Sequence, residues 1–290
     1  MKRLTALLIL ALLLCGCTQP PTPTTAVPAP TTTAPIPTTT NAPTTVPPTT
    51  VPPTTVPDTV SILDFLRIAV QPVGTTMYVW GGGWNEEDTG AGIEAVTLGV
   101  SPRWAEFAAQ QGSGYDMNDT RYQIHDGLDC SGYVGWAMYN VLETENGRPG
   151  YVMASTKMAK AYADMGLGTY IPASEITDWQ AGDIMSMQGH VWIVVGQCGD
   201  GSVLFLHASP PGVMFSGTKN ADGSESEATK LAERIMKDHF PDWFARFPDS
   251  ARPHSYLTAS SAMRWHSDIL SDYEGLREMT AEEVAAMIFG

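Results

Sequence analysis

The residue best suited to chemistry in this sequence is Cys130, which lies in the run Asp129-Cys130-Ser131-Gly132. Apolar residues follow at helical spacings (Val134, Met138 and Val141), so the pattern predicts a helix that begins at the cysteine, with Asp129 as its N-cap. A sulfur at a helix start faces unpaired backbone N–H groups and the positive end of the helix dipole, and both favour the thiolate. The run therefore predicts a nucleophile, although a buried cysteine in a core helix fits the motif alone equally well.

Two histidines downstream are expected to share one face of a β-hairpin. The segments 189–196 and 203–207 are rich in β-forming residues and flank a turn at 198–201. If a two-residue turn at Gly199-Asp200 joins them, an even position on one strand faces the same way as an odd position on the other. His190 then lies opposite Ser209 and diagonal to His207, close enough for the two rings to interact. A three-residue loop would break this parity.

A cysteine nucleophile needs a base within hydrogen-bond reach, and the base needs a third group that fixes its tautomer and orientation. We assign Cys130 as nucleophile, His190 as general base and later general acid, and His207 as the orienting group. A single histidine in a strand is more often structural, so the assignment depends on finding two of them on one face. Asp129 is expected to act as a cap and Asp183 as a turn residue.

Other segments must position these residues. The sequence predicts five further helices. The first begins at Asp58 or Ser61 and ends at about Val70, and three others lie near Pro102 to Gln111, over Ser155 to Met165 and near Glu227 to His239. The last is capped by Thr280, with Glu283 in the capping-box position. The aromatic stretch 77–84 indicates a strand broken by glycines that let the backbone approach a neighbour closely. The long stretch 84–128 has little periodicity and indicates an elaborated loop, which either walls the site or decorates the surface.

Together these motifs resemble the NlpC-type family of papain-like bacterial cell-wall cysteine peptidases. The matching pieces, all in the family's order, are Tyr78-Val79-Trp80-Gly81-Gly82, Asp129-Cys130-Ser131-Gly132, Gly182-Asp183, Gly189-His190-Val191 and His207-Ala208-Ser209. The resemblance implies an α+β fold of papain-like type, in which the helix that bears the nucleophile packs against a small antiparallel sheet. This sequence departs from the family in the insertion near 84–128 and in a C-terminal extension, 215–290.

The resemblance also implies an activity, which is hydrolysis of an amide bond in peptidoglycan stem peptides, commonly the bond between γ-D-glutamyl and a diamino acid. In this family a tyrosine of the first motif helps to hold the oxyanion together with the backbone N–H of the cysteine, which implies that role for Tyr78. A phenol is a suitable oxyanion donor, yet an aromatic residue beside Trp80 is as readily a core residue. No metal or other cofactor is implied, and we expect a monomer.

The N-terminal region predicts export and anchoring. Residues 1–14 have a basic start and an apolar run too short to span a bilayer, which is typical of a secretory signal. Leu14-Cys15-Gly16-Cys17 resembles a bacterial lipoprotein processing site, so residues 1–17 are interpreted as a lipoprotein signal peptide with lipidation at Cys17. The Pro/Thr-rich residues 18–57 predict an extended tether that reaches up to roughly 120 Å. The peptidase domain, 58–290, is then expected outside the cytoplasm, in a bacterial cell envelope.

Charge and cysteine content restrict the partners. Loss of the signal leaves 14 basic against 31 acidic residues, a net charge of −17. Such a balance argues against nucleic acid and anionic lipid as partners. We expect peptidoglycan stem peptides as the partner, with membrane contact through the lipid on Cys17. Cys130 and Cys198 could form a disulfide in this compartment, but the predicted turn around Cys198 makes two free thiols the better expectation.

The same residues allow other functions. A zinc hydrolase could draw ligands from His125, His190 and His207, but their spacing matches no metal-binding motif and Cys130 would lack a role. A glycosidase using Glu86-Glu87 has less support, because adjacent acids usually solvate a loop. A non-catalytic peptidoglycan-binding lipoprotein on the same scaffold stays open, and so does an N-acyl amidase or acyltransferase with the same three residues.

Overall fold

The structure is a computed structural model that describes residues 60–290, so the predicted signal peptide, the lipidation site at Cys17 and the predicted tether lie outside the described residues. Within residues 60–290, eight α-helices pack with one nine-stranded sheet, which confirms the predicted α+β class. The helices are α1 (Ile62–Val70), α2 (Pro102–Ala109), α3 (Cys130–Leu142), α4 (Met158–Asp164), α5 (Glu227–His239), α6 (Pro241–Arg246), α7 (Ser255–Ala259) and α8 (Ala281–Phe289). The strands are β1 (Met77–Tyr78), β2 (Gly127–Leu128), β3 (Gly168–Ile171), β4 (Ile184–Met187), β5 (His190–Gln197), β6 (Val203–Ser209), β7 (Gly212–Thr218), β8 (Ala251–Arg252) and β9 (Ser261–Trp265).

The sheet is larger than expected and is mixed rather than antiparallel. Its strand order is β2-β1-β7-β6-β5-β4-β9-β3, and β8 joins beside β7. β1 pairs with β2 in parallel, and β7 pairs with β8 in parallel. Both parallel partners come from added segments, since β2 ends the 84–128 insertion and β8 belongs to the C-terminal extension. The expectation of a small antiparallel sheet is corrected for that reason.

The C-terminal extension is built into the sheet. β9 lies between β4 and β3, where Met263 pairs with Ile184 on one side and with Tyr170 on the other. Asp183, just before β4, is buried, and its carboxylate accepts a hydrogen bond from Arg264 of β9, with Nη2 2.7 Å from Oδ2. Asp183 therefore ties β9 to the sheet in addition to shaping its turn.

The helix that carries the cysteine is enclosed by the core. α3 is buried along almost its whole length and packs on α1, β5 and β6. Because successive strand residues point to opposite faces, Val191 and Ile193 of β5 join the core with α3, whereas Trp192 and Val194 join a second apolar cluster with Leu257 of α7. The sheet thus lies between α3 and the layer that contains α7.

Local capping signals predicted the helix ends well. Ser61 caps α1 in a capping box with Asp64, and Thr280 caps α8 in a box with Glu283. α5 has the predicted bounds, whereas the first turn of the helix predicted from Ser155 is a 3-10 turn that precedes α4. None of the helices between residues 60 and 290 combines the length and apolarity needed to cross a membrane.

Glycines let the loop after β1 lie directly on the start of α3. A Cβ at Gly132 would collide with the carbonyl oxygen of Gly82, and a Cβ at Gly83 would lie 2.6 Å from the Cα atom of Gly132. The same Gly82 carbonyl accepts the Asp129 N–H at 3.0 Å. This close approach sets the position of the cysteine relative to β1.

Substitution of Gly132 by alanine is expected to lower the free energy of unfolding by ~1–3 kcal/mol, because the added methyl group must push two backbone segments apart. Urea unfolding followed by circular dichroism measures the change. Gly112→Ala is the matched control, since a Cβ there meets no heavy atom within 4 Å. Equal unfolding free energies for the two variants would contradict the close packing.

Candidate active site

The start of α3 is fixed by a polar network around the cysteine. The Asp129 carboxylate accepts the Gly132 N–H at 2.7 Å and the Ser131 hydroxyl at 2.8 Å. Trp84 donates its indole N–H to the Ser131 hydroxyl oxygen at 3.0 Å. Asp129 is therefore the predicted N-cap, and its side chain is committed to that role while Cys130 occupies the first helical position.

The sulfur lies where two central strands separate. The pairing of β5 with β6 begins at Ile193, so the first residues of β5 lie beyond it. Cys130 Sγ is 3.9 Å from the carbonyl oxygen of Gly189, and the backbone N–H of Val191 donates a hydrogen bond to the sulfur. Both groups flank His190 in the chain, so the thiol lies against the backbone of the predicted base.

The two histidines form a hydrogen-bond chain. Nε2 of His190 lies 2.9 Å from Nδ1 of His207, and Nε2 of His207 lies 3.0 Å from the Ser216 hydroxyl oxygen on β7. For His190 to accept a proton at Nδ1, its Nε2–H must donate to His207, whose own Nε2–H then donates to Ser216. Nδ1 is also the ring nitrogen nearer the backbone that the thiol contacts. The chain thus suits the tautomer that a general base requires.

The predicted contact between the histidines is confirmed, although the turn differs from the prediction. A three-residue loop closes the hairpin, with the Cys198 N–H donating to the Ser202 carbonyl oxygen at 2.8 Å. That loop alone would break the parity, but a register shift between Val194 and Gly196 restores it before the strands reach the histidines. Two local deviations therefore cancel, and the histidines meet.

Tyr78 lies close to the nucleophile, as the resemblance implies. Its side chain is only 7% exposed, and burial raises the pKa of its phenol well above the usual range, with a further rise from the charge of a Cys130 thiolate. The phenol therefore stays protonated and able to donate a hydrogen bond. Its backbone is held on both sides, since its N–H donates to the Pro211 carbonyl at 2.8 Å and its carbonyl accepts the Tyr115 hydroxyl at 2.6 Å.

Burial sets the protonation state of the resting site. Burial, followed by the charge of the neighbouring Asp129 carboxylate, raises the pKa of the Cys130 thiol to about 12, while the backbone N–H groups of Val191 and of the helix start lower it by less. Burial likewise lowers the pKa of His190 to about 3 and that of His207 well below its usual range, with Arg252 as the second cause for both. The expectation of a resting thiolate is therefore wrong, because desolvation outweighs the helix start. The site holds a thiol beside neutral imidazoles.

Three residues near this centre were missed at the level of sequence. They are Ser216, Arg252 of β8 and Tyr256 of α7. The Ser216 hydroxyl accepts the hydrogen bond from His207 Nε2, and the ring centroid of Tyr256 lies 5.4 Å from that of His190. Strand parity extended to β7 would have placed Ser216 on the histidine face. Arg252 and Tyr256 carry no local signal, because only the path of the C-terminal extension brings them to the site.

The insertion supports the nucleophile helix. α2 packs Trp104 against Trp136 of α3, with ring centroids 5.9 Å apart. Arg246 of the C-terminal extension donates to the carbonyl oxygens of Ala108 and Gln111, both at 2.8 Å. The two added segments therefore hold each other and brace α3.

The remaining candidates have other roles. His125 contacts Glu94 through Nδ1, and no group of three or more His, Cys, Asp or Glu residues between 60 and 290 is arranged to hold a metal ion. Glu86-Glu87 is exposed. Cys130 and Cys198 are both free thiols, as expected.

Comparisons of the chain with protein-family models, with curated proteins and with solved structures found no match. The function is therefore argued from the motifs and from the geometry of the site.

Stability is expected to depend on pH through the buried histidines. A histidine whose pKa falls on folding binds fewer protons in the native chain than in the unfolded chain, so the free energy of unfolding decreases as the pH falls below about 6.5. Asp129 acts in the opposite direction, because burial raises its pKa to about 6 and the native chain keeps a proton that the unfolded chain releases.

The His207→Asn variant separates the two effects, since it retains Asp129. We expect the difference in unfolding free energy, wild type minus variant, to shrink by up to ~1.4 kcal/mol for each pH unit below about 6.5. Urea unfolding at a series of pH values measures this difference. A difference that stays constant from about pH 7.5 to 5 would show that His207 is not held neutral by the fold.

Proposed function

We propose that this chain is a membrane-tethered cell-wall hydrolase, a papain-like cysteine endopeptidase that cleaves peptidoglycan stem peptides. The observation that carries the proposal is the thiol at a helix start, set against the backbone of His190, whose ring is held by His207. These are the three groups that cysteine nucleophilic catalysis needs, and they coincide with the motifs of the NlpC-type resemblance.

In the proposed reaction, Cys130 Sγ attacks the scissile carbonyl carbon while His190 Nδ1 takes the thiol proton. The two events are coupled, because the resting thiol is neutral. His207 accepts the His190 Nε2–H and stabilises the imidazolium that forms. His190 then gives its proton to the leaving amine as the C–N bond breaks and a thioester remains. A water molecule, deprotonated by His190, hydrolyses the thioester and regenerates the thiol.

The tetrahedral intermediate needs hydrogen-bond donors for its oxyanion. The backbone N–H of Cys130 is one of the unpaired groups of the first helical turn and is supported by the positive end of the α3 dipole. The protonated phenol of Tyr78 is the second proposed donor. The helix start fixes the Cys130 N–H and burial restricts the Tyr78 side chain, so both donors should need little reorganisation during the reaction.

The substrate class follows from the resemblance and from location. Stem peptides of peptidoglycan, cleaved at the amide bond between γ-D-glutamyl and a diamino acid, are the proposed substrate. Lipid on Cys17 and the tether at 18–57 would restrict the domain to wall material within reach of the membrane. The surplus of acidic residues disfavours nucleic acid and suits a substrate that is not a polyanion.

A non-catalytic binding lipoprotein is the second candidate, and one observation favours it. Cys130 is only 6% exposed and burial raises its pKa, so the resting thiol is a poor nucleophile. Catalysis requires that a bound peptide reach the gap between β5 and β6. A protein that only binds the wall has no such requirement.

Digestion of purified peptidoglycan and of isolated stem peptides by the wild-type chain, beside Cys130→Ala, tests the proposal. We expect the wild type to release fragments cut after γ-D-glutamate, and the variant to release none because the acyl thioester cannot form. Mass spectrometry identifies the products. Ser216→Ala is a useful companion, since it shortens the histidine chain and should reduce rather than abolish turnover.

Binding of wall fragments without cleavage by either chain would favour the second candidate. Cleavage that persists in Cys130→Ala would refute the nucleophile assignment.

Tyr78→Phe tests the oxyanion role. Loss of one oxyanion donor is expected to lower kcat by about 10²–10³-fold with little change in KM, because the bond forms fully only in the transition state. Tyr139→Phe is the control, since its hydroxyl donates to the Glu145 carbonyl within the far end of α3 and the loop that follows. A tyrosine with only a packing role would leave kcat nearly unchanged in both variants.

A further inference from the structure

The C-terminal extension places a buried cation on the histidine face of the sheet. The Arg252 side chain is only 11% exposed, and its Nη2 lies 3.6 Å from the sulfur of Met214, the residue paired with His207 across β6 and β7. Residues directly opposite in antiparallel strands share a face, so the guanidinium lies on the same face as His207.

Tyr256 connects this cation to the catalytic centre. Burial raises the pKa of the Tyr256 phenol, the Arg252 guanidinium lies close enough to lower it, and a Cys130 thiolate lies close enough to raise it. The Tyr256 ring centroid is 5.4 Å from that of His190 and 6.3 Å from that of His207. Tyr256 therefore lies beside both the guanidinium and the two histidine rings.

Arg252 has no close, buried carboxylate among the described residues to balance its charge. Nη1 donates to the adjacent Ala251 carbonyl at 2.8 Å, and the nearest carboxylate, Asp249, lies 3.6 Å away with a side chain that is 80% exposed. Exposed ion pairs of this kind contribute little, whereas a buried cation normally has a close carboxylate with full hydrogen bonding. A guanidinium has five N–H donors in a planar fork that fits a carboxylate.

The charge of Arg252 also opposes protonation of the two histidines. Arg252 lies close enough to His190 and His207 to disfavour their protonated forms, although the proposed reaction requires His190 to become an imidazolium. A carboxylate bound to Arg252 would offset this repulsion at the step in which His190 takes the proton. Binding of an anionic substrate and activation of the base would then be linked.

We propose that Arg252, positioned by Tyr256, binds a carboxylate group of the substrate next to the scissile amide bond. This inference rests on the proposed peptidase function and adds a determinant of specificity from outside the motifs. The carboxylate belongs either to the acyl side, as the free α-carboxylate of a γ-linked glutamate, or to the leaving side, as the carboxylate of the diamino acid. Peptides amidated at that position are then poor substrates.

The test uses two pairs of synthetic stem peptides with the full chain. In one pair the α-carboxylate of the γ-linked glutamate is free or amidated, and in the other the diamino acid carboxylate is free or amidated. We measure kcat/KM for the wild type, Arg252→Gln, Arg252→Lys and Arg234→Gln. The last variant removes a charge from an exposed ion pair with Glu282 in the same extension and serves as the control.

We expect the wild type to prefer the free acid by about 10–100-fold in one pair, the size of effect typical of a hydrogen bond to a charged group. The pair that shows the preference identifies the source of the carboxylate. Arg252→Gln should cleave acid and amide at similar rates, Arg252→Lys should keep part of the preference, and the control should keep all of it.

Equal cleavage of acid and amide by the wild type in both pairs overturns the inference and leaves the peptidase function standing, whether or not the Arg252 variants fold. A preference that survives in Arg252→Gln also overturns it. If the wild type cleaves none of the four peptides and no purified peptidoglycan, the peptidase proposal itself fails, and the inference fails with it.

Discussion

The hydrogen bond between His190 Nε2 and His207 Nδ1 is the interaction on which the organisation of this site depends. It spans two strands at the place where their backbone pairing has ended, so side chains hold the strands together where the backbone does not. The register of the hairpin, the bulge between Val194 and Gly196 and the position of Ser216 all serve to bring these two rings together. The Cys130 sulfur lies at the same end of β5, against the backbone of Gly189 and Val191.

Burial has two consequences at this centre. It keeps the thiol and both imidazoles neutral, because each charged form loses the stabilisation that water would give. It also strengthens the electrostatic interactions of any charge that develops during a reaction, because the local dielectric constant is low. Asp129 shows the limit of such an environment, because several hydrogen bonds to its carboxylate only partly compensate for burial and its pKa still rises to about 6. The thiol and the two imidazoles are therefore neutral at rest, and their protonation is sensitive to the charge of any group that binds beside them.

Sequence reasoning succeeded where the determining forces are local. The caps of α1, α3 and α8 and the bounds of α5 follow from capping chemistry and helical periodicity. The shared face of the two histidines was predicted from strand periodicity, but it holds only because the bulge between Val194 and Gly196 offsets the three-residue loop, and neither was predicted. Sequence reasoning failed where distant segments meet. No local sequence pattern near Arg264 predicts that β9 pairs with β4. The positions of Arg252 and Tyr256 depend on how the C-terminal extension reaches that place in the sheet. The protonation of Cys130 was misjudged for a related reason, since the extent of burial is a property of the whole fold.

The position of β9 also constrains the order in which this domain can assemble. β3 and β4 are made well before β9, yet they are neighbours only through it, and the buried carboxylate of Asp183 has no guanidinium until Arg264 has emerged. Pairings of such large sequence separation form late, because a long loop must close before they contribute. The growing chain therefore holds an open edge at β4, and an Asp183 carboxylate without its guanidinium partner, from the synthesis of β4 until that of β9. Completion of the sheet by β9, the last strand of the described residues, acts as a single closing step, after which the layer that covers the histidines can pack against the finished sheet.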